Sequence, residues 1–261
     1  MSRDPRSELL GLAAALRGHL ESELELGLEG LTSWEGPEPT KARQQPAHDR
    51  PAMAAMAPTA DERAPQAGLD SPQKHHRLEQ LAAEAAVCKA CVLHEKRTQS
   101  VFSRGSPEAE LVFVGEGPGQ EEDRKGLPFV GPAGQLLDRM IEAMGFGRDE
   151  VYVCNIVKCR PPDNRTPRPE EAIACSRFLV PQLELVAPKM MVALGRCAAE
   201  NLGVAPPSGS WRGRFGSWHG ITVMATYHPA YLLRSPEYKR VVWEDLQQVM
   251  ARLGRTRKPR G

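Results

Sequence analysis

Residues 111–119, LVFVGEGPG, decide the fold. Four apolar residues run unbroken into glycine, the mark of a short strand buried on both faces rather than a half-exposed one. A glycine-rich loop follows, and GQLLDRMIEAMG (134–145) then places apolar residues at helical spacing ahead of a closing glycine. The unit repeats downstream. VYVCNIVKC (151–159) reads as a second strand, and PEEAIACSRFLVPQLELV (169–186) as a long helix with proline at its start. MMVALG (190–195) is a third strand and RCAAENLG (196–203) a short helix. Residues 211–229 hold a glycine-rich turn region and a fourth strand ending at Thr226, and EYKRVVWEDLQQVMARLG (237–254) is a closing helix. Strands alternating with helices of this length predict an α/β domain, a parallel four-stranded sheet flanked by helices on both faces. Ligands of such sheets sit beyond the carboxyl ends of the strands. GEGPG (115–119), Asn155, Gly195 and TYHPAY (226–231) should therefore converge on one rim.

Outward from this core the composition changes. LEQLAAEAAVC (78–88) reads as a helix entering a cysteine pair, and the folded domain is expected over residues 76–253. Residues 36–75 carry seven prolines and no aromatic, too little apolar surface to offset ordering, and read as a disordered linker. Residues 1–35 contain Leu9, Leu10, Ala13, Leu16, Leu20 and Leu24 at helical spacing. One isolated helix is marginal in water, so this arm reads first as a solvated tail, with docking to a protein partner as the alternative. Residues 254–261 form a basic tail.

The 261 residues hold 34 Lys+Arg and 33 Asp+Glu, and this near-neutrality hides an asymmetry. Residues 1–75 are net −4 and the remainder net +5, which permits a nucleic-acid partner without demanding one. No apolar run approaches the ~18 residues of a membrane span. The N-terminal stretch has Arg and Glu threaded through it and is not read as a signal peptide. A cytoplasmic monomer is expected. In a reducing compartment six cysteines read as metal ligands or buried thiols rather than disulfides.

Three motifs carry chemistry. Cys88 and Cys91 form a C-x2-C pair, and Cys159 and Cys175 can complete a four-thiolate set for zinc or an iron–sulfur cluster. Cys154 and Cys197 lie in apolar contexts and read as buried packing. The loop GEGPGQEEDRKGLPFVG (115–131) lets backbone amides approach a ligand, but it lacks the GK[ST] ending of a nucleotide-binding P-loop. Within it Phe129 can present a ring face to a planar ligand. His228 follows a strand end directly, and the adjacent Leu232, Leu233 and Arg234 suit a wedge into stacked bases beside a phosphate contact.

Taken together, GEGPGQEED, LPFVGPAGQLL, NIVKCRPPDNRTP and HPAYLLR resemble the family 4 uracil-DNA glycosylases, the iron–sulfur members of the uracil-DNA glycosylase superfamily. The resemblance runs over roughly residues 78–253 and includes the cysteine spacings. It implies a [4Fe-4S] cluster on Cys88, Cys91, Cys159 and Cys175, and hydrolytic excision of uracil from single- or double-stranded DNA at the start of base excision repair. The site residues it implies are His228 as donor to the departing uracil and Asn155 as reader of the base edge. Phe129 would stack on the flipped ring, and Glu116 would orient water or stabilise positive charge on the sugar. Glu122 would crowd the C5 position, with Leu232 or Leu233 as wedge and Arg234 on phosphate. Where a better-known branch has an Asp to handle the water, this chain has Gly117. Residues 122–126 carry no inserted basic stretch with a His, which another branch uses to attach covalently to DNA. The competing reading is a non-catalytic nucleic-acid-binding module with a structural four-cysteine metal site. A nucleotide-binding enzyme is a third, disfavoured by the missing P-loop lysine.

Overall fold

The computed structural model describes residues 70–206 and 208–256. The expected N-terminal helix, almost all of the linker and the last five residues lie outside the described residues. Helix α1 (Ser71–Val87) opens on a capping box, in which the Asp70 side chain accepts from Gln73 N and the Gln73 side chain accepts from Asp70 N. It therefore starts seven residues ahead of the expected Leu78. A 3₁₀ turn (Val92–Glu95) leads to β1 (Ser103–Gly105), β2 (Leu111–Gly115), α2 (Gln120–Lys125), α3 (Pro132–Ala143) and β3 (Tyr152–Asn155). After a 3₁₀ turn at Pro162–Asn164 come α4 (Pro169–Val186), β4 (Met190–Leu194) and α5 (Arg196–Asn201). β5 (Phe215–Trp218), β6 (Ile221–Thr226), α6 (Pro229–Arg234) and α7 (Lys239–Arg252) complete the described chain.

The sheet has the order β1-β3-β2-β4-β6-β5. Its four central strands are the expected parallel set. The sheet as a whole is mixed, because β1 and β5 add antiparallel edges on β3 and β6. Both edges fall where glycine and charge obscure strand patterning, in SRG and FGSW. β5 and β6 are joined by His219 and Gly220, with φ of 47° and 84°. Two consecutive positive φ values are the requirement of the hairpin turn whose twist matches its strands.

Both sheet faces are covered. Along β2, Val112 and Val114 point into one core with Leu78, Phe178 and Leu179, while Leu111 and Phe113 point into the other with Leu137, Ile141 and Leu246. This is why β2 and β4 are apolar without alternation. β2 lies centrally, with β3 to one side and β4 to the other, so the crevice where the strand order reverses opens above Gly115. Among the described residues no helix is long and apolar enough to cross a membrane.

One buried polar network ties α7 to the end of β6. Asp245, 1% exposed, accepts from Thr226 Oγ1 at 2.6 Å and from Arg212 Nη2 at 2.7 Å. Asp245→Ala leaves both donors unmatched next to the core. Breaking such a pair costs about 3 kcal/mol, which should lower Tm by roughly 6–12 °C in a domain of this size. Asp245→Asn, which keeps an acceptor for Thr226, should lose less; equal melting of the two variants would contradict this account.

Candidate active site and thiol centre

A cleft of about 480 Å³ opens at the carboxyl ends of the parallel strands. Its lining includes Glu116, Gly117, Glu122, Phe129, Asn155, His228 and Arg234, so residues from four separate motifs meet in one place. Leu233 is 43% exposed on α6, whereas Leu232 is 1% exposed and packs in the core. Of the two leucines expected as a DNA wedge, Leu233 is therefore the exposed one, because successive residues on a helix are turned about 100° apart and the face bearing Leu232 meets the core. Asn164, Arg165, Thr166 and Tyr231 also line the cleft and were not singled out from sequence.

Gly115 closes β2 at the floor. A Cβ there would collide with the Asn155 amide oxygen and the Phe129 ring, so the missing side chain is what lets those two groups meet. Phe129 is 5% exposed and holds φ at 56°, a left-handed conformation that costs a non-glycine residue about 1–3 kcal/mol. Its neighbours over-determine it. Glu122 Oε1 accepts from Val130 N at 2.9 Å and Gly131 N at 2.8 Å, Arg104 Nε donates to Pro128 O at 3.1 Å, and a Cβ on Gly134 would strike the Phe129 backbone. Glu122 thus spends one carboxylate oxygen holding the loop that presents the ring.

Asn155, the last residue of β3, is 1% exposed, and its Oδ1 is buried without a hydrogen-bond partner. An unmatched buried acceptor costs about 1–3 kcal/mol. Its main-chain carbonyl is gripped by Lys158 Nζ at 2.8 Å, which closes the turn that ends the strand. Lys158 is itself buried. Desolvation pushes its ammonium below the usual lysine range, and the thiols of Cys154, Cys175 and Cys159 work in the opposite sense.

His228 caps α6, its Nδ1 accepting from Ala230 N at 3.1 Å. The proton of the neutral ring must then sit on Nε2, the donor left for the cleft. The ring stacks on Phe129 with centroids 5.5 Å apart and 29° between planes. Burial, helped by the Arg234 charge, pushes its pKa down to about 4, so the imidazole is neutral at physiological pH. Glu116 is raised by burial and held back by hydrogen bonds to Thr166 and Cys197. Cys197, read as packing from sequence, is buried and also touches this carboxylate. The loop bearing Thr166 is pinned by Arg165, which pairs with both oxygens of buried Glu171 at 2.8 and 2.6 Å. The acidic start of α4 was visible in the sequence, but its partner six residues earlier was not.

The second constellation lies on the α1–α4 side of the sheet. Cys88, Cys91, Cys159 and Cys175 line one small pocket with Arg97, Lys158 and Phe178, and none is in a disulfide. N–H groups point at three of the sulfurs: Arg97 Nη1 to Cys159 at 2.8 Å, Lys158 N to Cys175 at 3.3 Å, and Ala90 N to Cys88 at 3.5 Å. Burial raises Cys91, Cys159 and Cys175, the last to about 12. Among the described residues no three Cys, His, Asp or Glu side chains converge on a point for a single ion.

A family model described as the uracil DNA glycosylase superfamily matches residues 102–247. The type-4 uracil-DNA glycosylase of Thermotoga maritima is 46% identical over 176 residues, 66% of this chain and 92% of its own. That of Sulfurisphaera tokodaii is 41% identical over 185 residues, covering 66% and 83%. A type-5 uracil-DNA glycosylase of Pyrobaculum aerophilum is more distant, at 33% over 167 residues. The chain belongs to the uracil-DNA glycosylase superfamily and, within it, to the type-4 uracil-DNA glycosylases.

Proposed function

We propose that the cleft receives a uracil flipped out of DNA, with Asn155 reading it, Phe129 stacking on it and His228 assisting its departure. The chain is a uracil-DNA glycosylase, a hydrolase of the N-glycosidic bond. The observation that carries the residue assignment is the buried, unpartnered Asn155 Oδ1 facing the cleft. Uracil N3–H supplies the missing donor and O4 accepts from the amide NH₂, a pattern that cytosine presents in reverse. A non-catalytic binding module needs basic groups and stacking surfaces but no such buried acceptor.

Uracil leaves as an anion, and a fixed donor aimed at its oxygen acts mainly in the transition state. His228 suits that task in its neutral form, since its Nδ1 is occupied and its pKa lies about 4. With Gly117 in place of an acid, two carboxylates line the cleft; Glu122 is engaged by the Val130 and Gly131 amides, and Glu116 is the one assigned to orient water or stabilise charge developing on the sugar. Leu233 fills the vacated stack and Arg234 meets phosphate. Uracil-containing DNA is the partner. The six free thiols fit a cytoplasmic location.

The thiol pocket supports a [4Fe-4S] cluster held by Cys88, Cys91, Cys159 and Cys175. The four cysteines line one pocket, and N–H donors aimed at sulfur stabilise thiolates. When bound, the group supplies a cross-link between α1, the segment after β3 and α4; hydrolysis itself moves no electrons.

Four outcomes test this. Anaerobically purified protein should be brown with about four irons per chain; stoichiometric zinc without iron would overturn the cluster. Asn155→Asp should lose uracil excision and narrow the gap between uracil and cytosine, a gap on the order of 10⁴–10⁵ where a site is built around a polar edge. Unchanged selectivity would remove Asn155 as the reader. His228→Ala should lower the single-turnover rate on the order of 10²–10³-fold while DNA affinity and iron content hold. Because the neutral ring is the active form, the wild-type rate should show no His228 limb near pH 6.5 and should fall only as pH nears about 4. A loss of rate centred at pH 6.5 and absent from the variant would contradict the neutral donor.

A further inference from the structure

Lys158 is used by neither constellation as described, yet it touches both. It is 1% exposed. Its ammonium donates to two neutral oxygens, Asn155 O at 2.8 Å and Gln182 Oε1 at 2.5 Å, with the Phe102 ring 5.5 Å away. Among the described residues it has no carboxylate partner. Gln182 is committed in turn, donating to Tyr152 Oη at 2.8 Å and Phe102 O at 3.3 Å. Burying a cation against neutral acceptors is costly, and an apolar residue of similar volume would pack there at less cost. The placement makes sense if something anionic lies close by.

The thiol set is that group. Lys158 N donates to Cys175 Sγ at 3.3 Å, Cys159 is its chain neighbour, Lys158 is among the residues lining that pocket, and the ammonium feels the charges of Cys175 and Cys159. Four thiolates outweigh the positive charge of an iron–sulfur core, so the loaded site is net anionic. Arg97 meets it from the other side through Cys159 Sγ. The pocket thus has two flanking cations, and only one of them reaches toward the cleft.

We propose that Lys158 is a positioning residue shared by the two sites: one ammonium counterbalances the thiolate cluster and fixes the main-chain carbonyl of Asn155, so cluster loading is coupled to how the base is read. This rests on the reading of cleft and cluster given above. Its distinctive consequence is that disturbing Lys158 moves two properties that a purely structural lysine would leave unlinked.

The test compares Lys158→Met, Lys158→Arg and Arg97→Gln in the full chain, each checked for folding by circular dichroism. Iron content, cluster reduction potential by voltammetry and the inhibition constant of free uracil are measured on each. Lys158→Met should shift the potential negative, since reduction then adds charge beside one cation fewer, and weaken uracil binding on the order of tenfold. Arg97→Gln, which removes the cation that does not hold the Asn155 carbonyl, should shift the potential negative and weaken uracil binding less than Lys158→Met does. A folded but iron-free Lys158→Met supports the charge argument, and Lys158→Arg, which restores the cation, should then regain iron. Wild-type uracil affinity in folded Lys158→Met, with or without iron, overturns the coupling. An unmoved potential in iron-loaded Lys158→Met overturns the counterion role. Failure of the underlying reading looks different: the wild-type protein itself would lack iron or fail to bind uracil.

Discussion

The end of β2 leaves no room for a side chain, and the arrangement of the cleft depends on it. Two side chains that line the cleft, the Phe129 ring and the Asn155 amide, occupy the space a Cβ on Gly115 would fill. Any other residue would push one of them out of the cleft. The central position of β2, buried on both faces and paired with β3 and β4, keeps that glycine from shifting to accommodate a change. Packed interiors transmit such displacements instead of absorbing them.

Around this point the protein holds two unfavourable arrangements in place, a left-handed phenylalanine and an unmatched buried carbonyl. Strain of this kind persists where neighbours leave no alternative. For Phe129 the neighbours are Glu122, Arg104 and Gly134, drawn from a helix, an edge strand and a second helix. For Asn155 the restraint comes from Lys158 and, beyond it, Gln182 and Tyr152. Both arrangements are held by the fold itself, and groups fixed in this way need little reorganisation to act on a ligand.

His228 shows how local chain geometry sets chemistry. As a helix cap it must accept a backbone N–H, which occupies Nδ1 and leaves the proton on Nε2. Burial keeps the ring neutral. A neutral donor stabilises a developing anion without first carrying a charge that would have to be desolvated. Buried charge ties elements together at several points, among them Asp245 with Arg212, Glu171 with Arg165, and Lys158 near the thiols.

The parallel core, the rim on which the motifs meet and the four cysteines were legible in the sequence, because short-range patterning governs each. Apolar runs ending in glycine mark buried strands, and C-x2-C marks a ligand knuckle. The edge strands were not legible: β1 and β5 owe their existence to pairing with β3 and β6, and their own residues carry little strand preference. Nor could sequence separate Leu232 from Leu233, since which side of a six-residue helix meets the core is set by α3 and the sheet beneath it. The same holds for Arg165 with Glu171 and for Lys158. A basic residue in a sequence reads as solvated surface, and only the folded chain decides that one lysine is enclosed between the residue facing the base and the thiols, because burial is a property of what packs around a side chain and not of the side chain itself.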